Sequence, residues 1–180
     1  MGRTARTYSF SATVFFSLSM YSFAAAAPVD SVSAGVEQLR HVIGEWGVVT
    51  EFLNPDGSVA QSVSGTYKFE WVINDRVVSG RSEIPSQQRS AALLFYVNEQ
   101  KKTIEMASVG VDGHLWIMTG SIGGETRITP PTAMSDGSTM QLRFTRYNIE
   151  RDRFESRMER TTDDGATWLP GNHQVFLRKK

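Results

Sequence analysis

Three histidines carry the most obvious chemistry in this sequence, and they lie far apart in the chain, at His41, His114 and His173. No two of them have the spacing of metal ligands, and the chain has 0 cysteines. A zinc site is therefore not expected, and thiol catalysis is excluded. The serines form no Gly-x-Ser-x-Gly nucleophile motif. The sequence offers no residue to which catalysis can be attached, and it favours a protein that is not an enzyme.

Aromatic residues alternate along one segment with the composition of a β-strand. Tyr67, Phe69 and Trp71 share one face of it, because side chains two residues apart in a strand point the same way. They could line a ligand cavity or simply fill a core, and both interpretations stay open. Large side chains predicted to join them are Phe95, Met106, Trp116 and Met118.

Three arginines, Arg81, Arg146 and Arg160, are predicted on the inner faces of their strands. A truly interior guanidinium needs an anion or a paired carboxylate, such as Glu83, because an unpaired buried charge is costly. The alternative is that these side chains lie at strand ends and reach solvent. Only the first arrangement makes them ligand contacts.

The segment 161–168 has the residues of a tight, stapled hairpin. Asp163 can accept hydrogen bonds from nearby backbone amides, Gly165 can adopt a positive φ, and Trp168 can pack beneath the turn. The pattern resembles the Asp-box of sialidase-type propellers, but those folds need several copies and this chain has one. A structural role is expected, not glycosidase activity.

The elements that position these residues are one helix followed by many strands. Apolar residues recur at helical spacing over 36–43, and this pattern stops at Gly44. From Trp46 onward, β-branched and aromatic stretches alternate with turn residues, which predicts about nine or ten strands, mostly joined as hairpins. The clearest turns are 54–57, 74–75, 112–113, 123–124, 136–137 and 163–165.

A near-unbroken antiparallel meander must close on itself to protect its edges. The predicted fold is therefore all-β, an antiparallel up-and-down barrel with one short N-terminal helix. Residues 27–180 make one domain of a size that buries roughly 70% of the surface of its unfolded chain.

Residues 1–26 read as a cleaved signal peptide. Arg3 and Arg6 precede an uncharged, largely apolar run that ends in four alanines, and cleavage is expected after Ala26. We therefore expect a periplasmic or secreted protein. The full sequence has 19 basic and 19 acidic residues, and removing those two arginines leaves 17 basic and 19 acidic residues. This balance gives no attraction to nucleic acid, and no membrane span is expected in the mature chain.

The step from helix to strand, Gly44-Glu45-Trp46, and the ending Trp168-Leu169-Pro170 with Arg178-Lys179 carry a family resemblance. The chain resembles the calycins, which include lipocalins and fatty-acid-binding proteins, and more closely a bacterial secreted calycin-like family of unknown function. The resemblance implies that Trp46 plugs the closed end of the barrel, with Arg178 stacked on its indole. It also implies that an inner-face arginine could hold a ligand carboxylate.

Three functional hypotheses follow from the sequence and the resemblance. The leading one is binding of a small hydrophobic or amphipathic ligand in the barrel, without a cofactor. The second is a haem-binding barrel of the nitrobindin type using His173, although Gly47 is followed by Val48-Val49 where that family has an extended glycine motif. The third is a non-catalytic structural or interaction barrel.

Overall fold

The computed structural model describes residues 31–134 and 137–180, so the predicted signal peptide lies outside the described residues. Helix α1 (Ser31–Val42) comes first, and a short 3-10 helix (Pro85–Gln87) follows the third strand. The 11 strands of this part of the chain are β1 (Gly44–Leu53), β2 (Val59–Ile73), β3 (Val77–Ile84), β4 (Arg89–Asn98), β5 (Thr103–Gly110), β6 (Leu115–Ser121), β7 (Thr126–Ile128), β8 (Thr132–Ala133), β9 (Thr139–Tyr147), β10 (Arg153–Thr161) and β11 (Leu169–Arg178).

Among these described strands, ten close into an antiparallel barrel, which confirms the predicted fold class. Each strand from β1 to β6 pairs with the next, β7 pairs with β9, and β10 and β11 lead back to β1. Strand β8 pairs with the start of β9 and continues the line of β7 along that strand. The two short strands therefore fill one position in the barrel wall. Closure satisfies the backbone groups that an open sheet would leave at its edges.

Helix α1 covers one end of the barrel, which we call the helix end. Its residues Leu39 and Val42 are 1% and 7% exposed, and they belong to the same buried cluster as Trp46. The Trp46 indole is 0% exposed and donates its Nε1–H to the carbonyl of Val42, at 2.8 Å. Its ring meets Phe154 edge-on, with the centroids 4.9 Å apart. The apolar face of the helix and this tryptophan together seal the helix end.

Arg178, at the end of β11, fastens the helix to the barrel. Its guanidinium lies 4.1 Å from the centre of the Trp46 ring and donates to the carbonyls of Ile43 and His41, at 2.5 and 3.0 Å. These carbonyls lie in and just after the last turn of the helix, where backbone acceptors lack helical partners. Gly44 has φ +118°, and a Cβ there would lie 2.8 Å from Arg178. The position therefore requires glycine, which explains the first residue of the Gly-x-Trp step.

The hairpin between β10 and β11 lies at the opposite end, which we call the hairpin end. The Asp163 carboxylate accepts hydrogen bonds from the Thr161 hydroxyl and the Thr167 amide, at 2.6 and 2.8 Å. Trp168 packs against the turn at Gly165, and the Arg143 guanidinium lies 4.2 Å from the centre of its ring. These contacts make the segment a closed turn.

Candidate functional site

A cavity lies inside the barrel, beneath α1. Its volume, counted as the space open to the centres of water molecules, is about 120 Å³. This is several times the volume that one water molecule needs by the same measure. Leu39 and Val42 of the helix line it from above. Six aromatic side chains of the wall make most of its surface, namely Tyr67, Phe69, Phe95, Phe144, Phe154 and Phe176. Its polar lining comes from Gln38, Arg127, Arg146, Ser156 and Gln174.

Five of the six aromatic rings, all but Phe144, form a connected set. Phe154 and Phe176 stack with centroids 4.2 Å apart, and Tyr67 meets Phe176 edge-on at 5.2 Å. Phe69 meets Phe95 edge-on at 5.7 Å. Such contacts hold each ring in place, so the cavity has a defined apolar surface against which a hydrocarbon or aromatic group can pack.

A glycine on β3 makes room for one of these rings. Gly80 lies directly opposite Phe69 on β2, and a Cβ at this glycine would lie 2.5 Å from the Phe69 ring. Any larger residue would therefore push the ring out of its place, toward the cavity.

Arg146 faces the cavity already paired. Its Nε and a terminal nitrogen both lie 2.7 Å from one carboxylate oxygen of Glu125, and its side chain is 11% exposed. Glu125 also accepts a hydrogen bond from the Gln38 amide, at 3.1 Å. Because Glu125 neutralises it, Arg146 contributes little net charge to the cavity.

Arg127, on β7, is the unpaired cation of the cavity. It is 7% exposed, and its Nε is buried without a hydrogen-bond acceptor. Among the described residues its side chain has no ion-pair partner. Burial lowers the pKa of Arg127 to about 10, helped by the nearby charge of Arg146 and opposed by that of Glu125. The group therefore stays protonated at neutral pH, and it makes a cationic spot in an aromatic chamber.

The residues predicted as ligand contacts divide into two groups. Tyr67, Phe69 and Arg146 line the cavity. Trp71 is partly buried and packs against the core, but it is not part of the lining.

Three other predicted contacts lie away from the cavity. Arg81 was expected on the inner face, but its side chain is 72% exposed on the outer face and bonds to Glu83, so that expectation is wrong. The reason is the alternation of side chains along β3, because the adjacent residues Gly80 and Ser82 are the ones that face inward. Arg160 is exposed near the hairpin end, and Trp116 lines a separate hollow there, beside Ser82 and Ser108.

His173 lies on the outer face of β11, because its neighbours Gln174 and Phe176 are the cavity residues of that strand by alternation. Its Nδ1 lies 3.0 Å from a Glu51 oxygen, and its Nε2 lies 2.9 Å from a Glu155 oxygen. Neither ring nitrogen is available to a haem in the cavity. The geometry at His173 therefore does not fit the nitrobindin-like alternative.

The two carboxylates set the charge of His173. Burial alone would lower the pKa of His173, but its hydrogen bonds to Glu51 and Glu155 outweigh this, and the pKa is raised above 6.5. Hydrogen bonds from Arg153, His173 and Asn148 lower the pKa of Glu155 from 4.5 to about 2. Only an imidazolium can donate to both carboxylates at once, so the cluster stabilises the protonated histidine.

Replacing His173 by glutamine is expected to destabilise the protein in a pH-dependent way. The loss should be about 1 kcal/mol between about pH 4.5 and 6.5, where the imidazolium and the Glu155 carboxylate are charged. It should shrink as the pH rises through the raised pKa of His173, and again as it falls toward about 2, where Glu155 is protonated. Urea unfolding of both proteins from pH 3 to 9 measures it, and a loss of equal size at every pH would contradict this account.

No protein-family model matches the chain, and no curated protein matches it by sequence. Solved structures of similar fold include Rv2717c from M. tuberculosis, with a TM-score of 0.56, 12% identity, and coverage of 81% of this chain and 98% of that one. An S-type phycobiliprotein lyase, CPES from Guillardia theta, gives 0.48 and 13%, with coverage of 83% and 96%. EF1p2_mFAP2b, solved bound to DFHBI, gives 0.37 and 15%, with coverage of 81% and 98%. The likeness to Rv2717c agrees with a calycin-like barrel, and at such identity only the fold follows.

Two further findings concern the described residues. Within residues 31–134 and 137–180, no group of three or more His, Cys, Asp or Glu side chains is placed to hold a metal ion. None of the helices in this part of the chain is long and apolar enough to cross a membrane.

Proposed function

We propose that this protein binds a small amphipathic molecule with an acidic group in the barrel cavity, without catalysing a reaction. The observation that carries the proposal is the buried, unpaired guanidinium of Arg127 in a chamber of aromatic rings. Burying a cation without a partner is unfavourable, and an anion that enters the cavity removes this cost.

The cavity suits a ligand with two parts. A carboxylate can accept charge-assisted hydrogen bonds from Arg127, which are stronger than those between neutral groups. An apolar tail can pack against the stacked rings of Phe154 and Phe176. The amide of Gln174 already donates to the hydroxyl of Thr50, at 3.0 Å, so its carbonyl oxygen offers a further polar contact.

Calorimetric titration with octanoate and octan-1-ol tests this function. The two probes share a chain length and differ in charge, so their comparison isolates the acidic group. We expect octanoate to bind at least about tenfold more tightly than octan-1-ol, because hydrogen bonds to a charged group contribute about 1.5–3 kcal/mol. Equal affinity for both probes would contradict the acidic specificity, and no binding of either would contradict the function.

We also propose that the protein is exported and belongs to the bacterial secreted calycin-like family that its sequence resembles. Its support is the N-terminal sequence, with Arg3 and Arg6 ahead of an apolar run and four alanines. Expression of the full chain in a bacterial host, followed by mass measurement of the protein from the periplasmic fraction, tests it. A mature chain that begins at Ala27 is expected, and an uncleaved chain in the cytoplasm would contradict export.

A further inference from the structure

One seam of the barrel wall has a shorter strand pairing than any other. Strands β6 and β7 are paired only through Thr119 and Ile128, whereas every other neighbouring pair of the wall is in register over at least three residues. We call this the β6–β7 seam. The described backbone on either side of it is therefore held together by the weakest sheet pairing in the barrel.

The sequence explains why this seam is short. Beyond Ile128 the chain continues into Pro130 and Pro131, which have no backbone N–H to donate across to β6. Strand β7 is fixed on its other side, where residues Thr126–Ile128 pair with β9 and the Thr129 amide donates to the Leu142 carbonyl. Opening of the seam would leave β7 attached to β9.

A single side chain of α1 holds the turn at the end of this seam. Gln38 accepts a hydrogen bond from the Gly123 amide, at 2.9 Å, through its own oxygen. Its amide nitrogen donates to the Gly124 carbonyl and to the Glu125 carboxylate, at 3.0 and 3.1 Å. The same side chain lines the cavity. Gln38 thus connects the helix, the β6–β7 turn and the chamber wall, and we call these three hydrogen bonds the Gln38 clamp.

Parting the seam would lead directly to the cation that the ligand needs. Arg127 lies on β7, and its side chain borders the seam, since a Cβ at Gly120 of β6 would lie 2.9 Å from the Arg127 Cγ. On the other side of β7, strand β9 carries Arg146, which stays paired with Glu125. A ligand that enters here meets the free guanidinium first.

We propose that the ligand enters the cavity between β6 and β7, and that the Gln38 clamp holds this route closed. This inference rests on the proposed function. It requires that opening of the seam limit the rate of ligand association. The association rate then depends on how readily the seam opens, and the equilibrium affinity depends on the contacts within the cavity.

A disulfide across the seam tests the route, and the cysteine-free chain makes it unambiguous. Thr119→Cys with Ile128→Cys joins the one opposed pair of the seam, whose members are both exposed. Opposed residues of antiparallel strands have Cα atoms about 4.5–5.5 Å apart, within the range of a disulfide. Lys68→Cys with Arg81→Cys is the matched control, an exposed opposed pair across β2 and β3.

Stopped-flow binding of 8-anilinonaphthalene-1-sulfonate, an anionic apolar dye, gives the rates. Oxidation of the seam pair should slow association at least about tenfold relative to the reduced form, while the control pair should bind equally fast in both forms. An unchanged rate in the oxidised seam pair would overturn the route and leave the proposed function standing. Absence of dye binding to the unmodified protein would overturn both.

Removing the clamp tests the role of Gln38. Gln38→Ala should raise the association and dissociation rates together, by about fivefold or more, because the turn loses hydrogen bonds to the helix. The equilibrium dissociation constant should change much less than either rate. Glu37→Ala, an exposed substitution in the same helix, should leave both rates unchanged. Equal rates in Gln38→Ala and the unmodified protein would overturn the clamp.

Discussion

Replacing Arg127 by methionine is expected to raise the free energy of unfolding of the ligand-free protein by about 1–3 kcal/mol. In the native barrel this guanidinium is charged, buried and unpaired, and burial lowers its pKa from 12.5 to about 10. A shift of that size corresponds to about 3 kcal/mol of unfavourable interaction at neutral pH. Methionine keeps much of the side-chain length and packs among the aromatic rings without a charge.

The same substitution should remove the ligand's anchor. Octanoate should bind Arg127→Met at least about tenfold more weakly, because the charge-assisted hydrogen bonds to its carboxylate are lost. The affinity for octan-1-ol should not fall. A gain in stability together with a loss of binding is typical of a residue that is kept for its function, since natural sites carry groups that the fold alone does not favour.

Two arginines serve as controls, measured by urea unfolding and by calorimetry. Arg146→Met should lose about 1–3 kcal/mol of stability, since it leaves the Glu125 carboxylate without its cation. Arg81→Met should change stability by less than about 0.5 kcal/mol, because its side chain is 72% exposed. If Arg127→Met were destabilised like Arg146→Met, Arg127 would have a partner in the native protein and the free-cation account would be wrong.

Replacing Trp46 by alanine is expected to lower the free energy of unfolding by about 3–5 kcal/mol. The indole is fully buried, donates to the Val42 carbonyl, and packs against Phe154 and Phe176. Its loss would leave a cavity at the helix end and remove the surface on which the Arg178 guanidinium lies. Both effects weaken the attachment of α1 to the barrel.

Urea unfolding with Trp71→Ala as the control measures this effect. Trp71 is partly exposed at the margin of the core, so its removal should cost less than half as much. A loss below about 1 kcal/mol for Trp46→Ala would show that Trp46 does not hold the helix end together.

The architecture could be predicted because local signals agree with one another. The helical spacing stops at Gly44, the turns are explicit, and the strands between them are long enough to show alternation. Tyr67 and Phe69 could be placed on one face for the same reason, since β2 runs for 15 residues. The short strands β7 and β8 pair along the same side of β9 and together fill one position of the wall. Counted in this way, the 11 described strands make ten positions, in agreement with the nine or ten strands expected.

The cavity could be predicted only in part, because its polar groups lie where alternation is not readable. Strand β3 begins with Val77-Val78, so its pattern does not show which parity faces inward, and Arg81 was assigned to the wrong face. Strand β7 has 3 residues, too few to place Arg127 inside. The burial of Arg127 depends on its neighbours in β6 and β9, and the β9 contact joins residues that are distant in sequence.

A crystal structure of the protein with octanoate tests the central claim most directly. We predict that the carboxylate lies within hydrogen-bond distance of the Arg127 guanidinium, at about 2.7–2.9 Å, with the hydrocarbon chain against Phe154 and Phe176. An octanoate molecule bound with its carboxylate away from Arg127, or a cavity that stays empty at saturating octanoate, would contradict the account.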